Sequence, residues 1–230
     1  MDNSAVLAKL EEGLATFDVE LPGGCSKALL AYQELLLKWN ERVNLTAITD
    51  PLEVVDKHLL DSLAVLPEVP PMGRVLDVGA GAGLPGIPWA LARPGLQVTL
   101  VDAVQKKVAF MKAAIANLGL APRVRAVHQR AEGAGDGLGT FEVVVSRAFT
   151  DLERWLPLAT QYLSPAGVVI AMVGLQPSEE VVARSAQASG LRAVSARRLQ
   201  LPLSRDGRGV LVFQRAEFSA GSMGISGKPA

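Results

Sequence analysis

Residues 75–86 read VLDVGAGAGLPG. Two ligand-binding spacings overlap in this stretch. Gly81-x-Gly83-x-x-Gly86 is the spacing of a dinucleotide-binding turn. Asp77-x-Gly79-x-Gly81-x-Gly83 places a carboxylate just ahead of three alternating glycines. Glycine allows backbone dihedrals closed to other residues and lets a ligand approach the chain. Both patterns need a strand before the loop and a helix after it, and "RVLDVG" followed by "PGIPWALAR" supplies them.

Three residues bear on the choice between NAD and S-adenosyl-L-methionine as the ligand. Asp77, at the strand end, is placed to accept from a ligand ammonium or a bound water; a carboxylate there is unwelcome beside a pyrophosphate. Pro85 stands where a phosphate site needs free N–H groups, and proline has none. Asp102 ends the next strand, 23 residues after Gly79, where a carboxylate meets ribose hydroxyls. Both ligands carry a ribose, so Asp102 speaks only for the adenosine half. Local readings stay open: Asp77 as a cap on its own loop, Asp102 as the N-cap of the next helix. Arg130, Ala131 and Glu132 follow the third strand, at the edge where adenine lies. Arg147 ends the fourth strand beside the expected reaction centre, with an ion pair to Glu132 or Asp102 as the alternative. Phe149 is placed either to stack on a base or to join the core.

The elements that position these residues follow from periodicity. Helical spacing over about 4–17, 26–42 and 50–66 predicts an N-terminal helical cap, with Ser26 and Asp50 as N-caps. "PEVPPMG" (67–73) reads as a rigid linker. Apolar strands then alternate with helices, which predicts a mostly parallel sheet covered on both faces. "AVSARRLQL" and "RGVLVFQR", separated by "PLSRDG", predict a closing antiparallel hairpin. The expected fold is α/β, a Rossmann-like class I methyltransferase sheet. The expected division is a helical cap over 1–70 packed on a main domain over 71–215, with a Gly/Ser-rich tail over 216–230 expected to be disordered.

Composition narrows the class. The 230 residues are 49% apolar and carry 23 basic and 23 acidic side chains. No apolar run approaches the ~18 residues of a membrane span, and the acidic, polar start does not read as a signal peptide. Cys25 is the only cysteine, so an internal disulfide and a multi-cysteine zinc cage are excluded; no metal site is expected. A cytoplasmic protein, expected to be monomeric, is the reading. Charge is uneven: residues 1–72 hold 12 acidic and 5 basic side chains, residues 181–230 hold 2 and 8. Arg192, Arg197, Arg198, Arg205 and Arg208 are candidates for phosphate contacts, or form a solvated hairpin edge.

Taken together, "WNERVNLTAI" (39–48), "HLLDSL" (58–63), "LDVGAGAGLPGIP" (76–88), "VTLVDAVQKKVAFM" (98–111), "RAE" (130–132) and "SRAF" (146–149) resemble the small-subunit ribosomal RNA methyltransferase G family, also called glucose-inhibited division protein B. The resemblance covers roughly residues 30–215. It implies methyl transfer from S-adenosyl-L-methionine to N7 of a guanine in a decoding-region loop of 16S rRNA, within the small ribosomal subunit. It also implies cofactor contacts at Gly79, Leu84, the Ala131–Glu132 pair and Arg147, with Asp102 at the ribose; the loop's own pattern adds Asp77, Gly81 and Gly83 as cofactor-binding candidates. One departure stands out. Family members commonly carry a lysine before the glycine that ends the fifth strand, and here Val173 takes that place, leaving its role missing or supplied by a nearby arginine. Guanine N7 has an available lone pair, so no general base is required and positioning suffices. Arg147 and Phe149 are the nearest candidates to the reaction, and Arg130 joins the candidates for RNA contact. His58 reads as structural, bonded to Asp61 or Ser62; Asn44 reads as the holder of the "NLT" turn. Two alternatives remain open: a small-molecule methyltransferase on the same fold, and a catalytically weak RNA-binding assembly factor.

Overall fold

The computed structural model describes residues 3–132, 137–147 and 151–216. Helix α1 (Asn3–Thr16) buries Val6, Leu10 and Leu14, one residue per turn on one face. Helix α2 (Cys25–Val43) buries Leu29, Tyr32, Gln33, Leu36 and Asn40. It starts after Gly24 and ends at Asn44, both in the left-handed region (φ 81° and 49°). Ser26 is therefore inside the helix and caps nothing; the glycine pair ahead of it turns the chain one residue earlier.

Asp50 does cap its helix. Its Oδ1 accepts from the N–H groups of Leu52 and Glu53, both at 2.9 Å, and Pro51 holds the first helical position. The expected single helix is broken in character. Helix α3 (Pro51–Val54) runs into a π-helical stretch (Val55–Leu60) and then α4 (Asp61–Leu63). The wider turn brings Asp56, His58 and Asp61 inward, all buried. Residues 67–73 are not a spacer: Leu66–Glu68 form a 3-10 turn, Val69 is buried, and Met72 already belongs to the first strand.

The sheet has seven strands: β1 (Met72–Val78), β2 (Gly95–Asp102), β3 (Val124–His128), β4 (Phe141–Arg147), β5 (Leu163–Val173), β6 (Leu191–Gln200) and β7 (Gly207–Arg215). Their order is β3-β2-β1-β4-β5-β7-β6, parallel except that β7 runs antiparallel to both β5 and β6. The expected sheet and closing hairpin are both present. Order reverses between β1 and β4, and the crevice at such a switch point, at the carboxyl ends of the strands, is where this architecture holds ligands.

Helices α5 (Gly86–Ala92) and α6 (Gln105–Asn117) cover one face. That apolar cluster runs without a break from Val6 and Leu10 in α1 through Tyr32 to Ile87, Met111 and Val212, so the N-terminal helices share the core of the sheet. Helices α7 (Leu152–Thr160) and α8 (Glu179–Ala188) cover the other face through Trp155, Leu156 and Val182. Among the described residues no helix is long and apolar enough to cross a membrane.

Candidate functional site

The glycine loop is built from the inside. Asp77 is wholly buried at the end of β1; its Oδ2 accepts from the Gly86 N–H at 2.8 Å, while Oδ1 has no partner. Burial pushes its carboxyl up to about 7, against the pull of the Gly86 N–H and of Arg147. Gly79, Gly81 and Gly83 all sit in the left-handed region (φ 68°, 60° and 86°). A Cβ on Gly83 would collide with Ile87. Asp102 grips the loop from the end of β2: Oδ2 accepts from Gly81 at 2.9 Å and Oδ1 from Val104 at 2.8 Å. The local reading of Asp77, a cap on its own loop, thus holds; Asp102 is not the N-cap of the next helix, since that place falls to Val104, whose N–H Asp102 accepts. Each Asp102 oxygen still has a lone pair for a ribose hydroxyl.

Where the loop's donors go decides between cofactors. Gly79 and Ala80 donate to Val101, Gly81 to Asp102, Gly83 and Leu84 to Ala80, and Gly86 to Asp77; Pro85 has no N–H. A pyrophosphate needs several of these donors free. The loop therefore does not fit a dinucleotide. It fits S-adenosyl-L-methionine, which carries no phosphate, and the unpartnered buried oxygen of Asp77 lies behind it.

A cavity of about 340 Å³ opens beside the loop, lined by Gly79, Asp102, Lys107, Gln129, Arg130, Ala131, Glu132 and Arg147. Six residues predicted for the cofactor or RNA meet there. Tyr162 donates to the Ala131 carbonyl at 2.8 Å and fixes that edge. Asp77, Gly81, Gly83 and Leu84 shape the loop from behind and do not line this cavity. The Leu84 side chain lies in the core, 3% exposed. Lys107 is also part of the wall.

A second cavity of about 390 Å³ adjoins it, lined by Ile48, Lys57, His58, Asp61, Arg147, Met172, Val173 and Arg208, among others. Arg147 lines both. Its Nη1 donates to the Lys57 carbonyl at 3.0 Å and to Asp61 Oδ2 at 3.2 Å. The ion-pair partner is thus Asp61, and neither Glu132 nor Asp102. Asp61 Oδ1 in turn meets Arg208 Nε at 3.3 Å. Burial raises the Asp61 carboxyl and the two guanidiniums pull it back down. Arg208 precedes Gly209, the register partner of Val173, so an arginine stands next to the position of the missing lysine. Asp56 holds the hairpin in place, accepting from Leu203 and Ser204 at 3.1 and 2.9 Å.

His58 bonds neither Asp61 nor Ser62 through its ring. Nε2 lies 2.9 Å from Thr46 Oγ1 and Nδ1 lies 2.9 Å from the Lys57 carbonyl. Burial and Arg147 push its pKa down to about 4, so it is neutral at pH 7. The Lys57 carbonyl can only accept, which assigns the proton to Nδ1 and makes Thr46 Oγ1 the donor to Nε2. The "WN" pair also differs from expectation. Asn40, not Asn44, holds the turn, accepting from Leu45 and Thr46 and donating to the Thr46 carbonyl; Asn44 supplies the left-handed cap instead. Trp39 packs edge-on against Phe110 of α6, with ring centroids 5.7 Å apart.

Tyr32 ties the helical cap to the loop. Its buried hydroxyl donates to the Ala82 carbonyl at 2.7 Å. Tyr32→Phe leaves that carbonyl unpaired, which costs roughly 1–3 kcal/mol. Urea denaturation reads the loss, and calorimetry with adenosylhomocysteine is expected to show several-fold weaker binding.

The predicted arginines separate. Arg208 and Arg130 line the two cavities, and Arg205 is exposed on the hairpin turn. Arg197 is committed elsewhere: it pairs with Glu68 at 3.3 Å and donates to the Ala64 carbonyl at 2.6 Å. Arg198 donates to Gln176 and Arg192 to Gln214. Phe149 and the tail beyond residue 216 lie outside the described residues. Among the described residues no group of His, Cys, Asp and Glu is arranged to hold a metal.

Comparison with known proteins is consistent with this geometry. A family model described as rRNA small subunit methyltransferase G matches residues 25–202. A ribosomal RNA small subunit methyltransferase G from Myxococcus xanthus is 50% identical over 218 residues, covering 94% of this chain and all of that one. Its counterpart from an Anaeromyxobacter species is 46% identical over 203 residues, covering 88% and 94%. Among solved structures, a glycopeptide N-methyltransferase complexed with S-adenosyl-L-methionine superposes with a TM-score of 0.56 at 14% identity, over 67% of this chain and 92% of that one, a likeness of fold.

Proposed function

The chain belongs to the rRNA small subunit methyltransferase G family, and from that premise we propose that it transfers a methyl group from S-adenosyl-L-methionine to N7 of a guanine in a decoding-region loop of 16S rRNA, acting as a monomer in the cytoplasm. The observation that carries the reading is Arg147, shared by the walls of two adjoining cavities. One cavity takes the adenosine, with Asp102 at the ribose and Ala131–Glu132 at the adenine edge. The other takes the guanine.

The cofactor supplies a methyl carbon on a sulfonium. The protein's task is to aim the acceptor at it. Asp77 places buried negative charge behind the loop, toward the ligand's cationic end. Arg147, Arg208 and Lys57 surround the acceptor cavity with positive charge, suited to RNA phosphate, and Ile48, Met172 and Val173 give it apolar walls. Arg208 supplies the cation that Val173 lacks.

Among the described residues no base is presented to the acceptor. His58 is neutral with both ring nitrogens engaged, and Asp61 is held between two guanidiniums. Methylation of an exocyclic amine requires loss of a proton, whereas N7 requires none. This favours N7. In A-form RNA N7 faces a deep, narrow groove, so the substrate is a loop or an opened base. Purified protein, labelled cofactor and small subunits lacking the modification test the reading: label is expected in 16S rRNA, and label in small metabolites alone contradicts it.

A further inference from the structure

A third cavity, of about 380 Å³, lies at the opposite end of β1, β2 and β3 from the cofactor site. Arg74, Gln97, Thr99, Arg123, Arg125 and Phe141 are among the residues that line it. It exists because the sheet is covered unevenly. Helices α7 and α8 cover β4 and β5, whereas among the described residues no helix lies between β3 and β4. Two rows of side chains cross this open face. Arg125 is the register partner of Thr99, and Gln97 is the register partner of Arg74.

The charge in the cavity is not matched. Glu142 is spent on Arg74: Oε2 accepts from the Arg74 N–H at 2.6 Å and Oε1 pairs with Nη2 at 3.1 Å. Arg123 and Arg125 have no carboxylate partner among the described residues. Arg125 Nε donates to Thr99 Oγ1 at 3.0 Å, which fixes the guanidinium and leaves its outer nitrogens free. Arg123 Nη1 is shielded from solvent and has no partner among the described residues. A guanidinium without a partner in a partly desolvated place is costly. The fork of N–H groups on each arginine suits phosphate oxygens, and Gln97 and Thr99 add neutral polar groups between them.

We propose that this cavity is an anion site for backbone phosphate of the rRNA substrate, remote from the methylated base. The inference rests on the rRNA-methyltransferase reading above. Along β2 from Thr99 to Asp102, and along β3 from Arg125 to Gln129, three or four residues separate it from the adenosine cavity, roughly 10–13 Å. A strand of RNA that enters the acceptor cavity therefore has a second, cationic foothold on the same molecule. Contacts of this kind fix register and orientation without reading sequence.

The test is the double variant R123Q/R125Q beside the single variant R125Q, whose side chain is exposed and carries little risk to the fold. R154Q/R184Q, which removes two exposed arginines from α7 and α8, controls for net charge. Binding of 16S rRNA is measured by filter retention across salt, with adenosylhomocysteine affinity and the unfolding midpoint alongside. The double variant is expected to bind rRNA roughly tenfold more weakly, with a salt slope lower by about 1–2, about one for each phosphate that is no longer neutralised. R125Q is expected to show about half of that slope change. Cofactor affinity, and kcat at saturating RNA, are expected to be unchanged. Wild-type affinity and slope in both variants, or an equal loss in R154Q/R184Q, overturns the site and leaves the methyltransferase reading standing. A wild-type protein that neither binds nor methylates 16S rRNA overturns both.

Discussion

Arg147→Met is expected to lower kcat/KM for methyl transfer by roughly 100-fold, because misplacement of reacting groups by about an ångström costs that much. One nitrogen of Arg147 bridges the Lys57 carbonyl and Asp61, and the same side chain walls both cavities. Methionine keeps an unbranched, flexible stem but donates nothing. Asp61 then keeps Arg208 alone, in a place where its side chain is only 7% exposed. Removing one partner of a fully buried pair costs about 3–5 kcal/mol. A second guanidinium remains here and Arg147 is 22% exposed, so a loss of about 1–3 kcal/mol is expected. Lysine is not a substitute, since a single ammonium lacks the planar fork that faces two cavities. Kinetics of labelled methyl transfer for R147M and R147K, with urea denaturation of each, check this. Activity within a few-fold of wild type in R147K contradicts the bridging role.

Asp77→Asn is expected to separate stability from cofactor binding. The carboxyl titrates near 7 in the folded protein and near 4 when unfolded. Below about pH 4 both states hold the proton. Between about 4 and 7 the unfolded chain releases it and the folded protein does not, so stability falls as pH rises through that window. Above 7 the deficit is constant. Asparagine removes the deficit and keeps the hydrogen bond from Gly86, but leaves an amide where Oδ1 has no partner. The net expectation at pH 8 is a gain of roughly 1–3 kcal/mol, shrinking to nothing or below near pH 4. Adenosylhomocysteine is expected to bind at least tenfold more weakly, since the buried charge behind the loop is gone. In the wild type that binding weakens as pH drops below 7, and the variant is expected to lose this dependence. Calorimetry from pH 5.5 to 8 and denaturation from pH 4 to 8 measure both. An asparagine variant that binds as tightly as wild type removes Asp77 from the cofactor site.

The parts of the site that are contiguous in sequence are readable there. The strand, Asp77, the glycines, Asp102 and the Arg130–Glu132 edge lie where local pattern predicts, because each is fixed by one strand end or one turn. What escapes a reading of the sequence depends on segments distant in the chain. Nothing near Arg147 shows that its partner is Asp61, 86 residues earlier, rather than Asp102 or Glu132. That choice is made by the π-helical stretch, which turns Asp61 inward, and no periodicity predicts it. Asn40 and Asn44 are both polar residues by one turn; which one holds it depends on burial at the end of α2. Residues 67–73 look like a spacer because prolines suggest stiffness, yet Val69 is drawn into the shared core. Arg197 looks free as one of a basic pair, and only the sheet brings it to Glu68 and Ala64. The open basic face over β2 and β3 is likewise a product of assembly, since its arginines come from separate strands.

The most direct test of the central claim is the chemical identity of the product. Small subunits lacking the modification are incubated with the protein and methyl-labelled S-adenosyl-L-methionine, and the 16S rRNA is digested to nucleosides and separated. All label is expected to migrate with 7-methylguanosine and to map to one decoding-region loop. Label at an exocyclic amine, a ribose or another base, or no label in the RNA at all, contradicts the account.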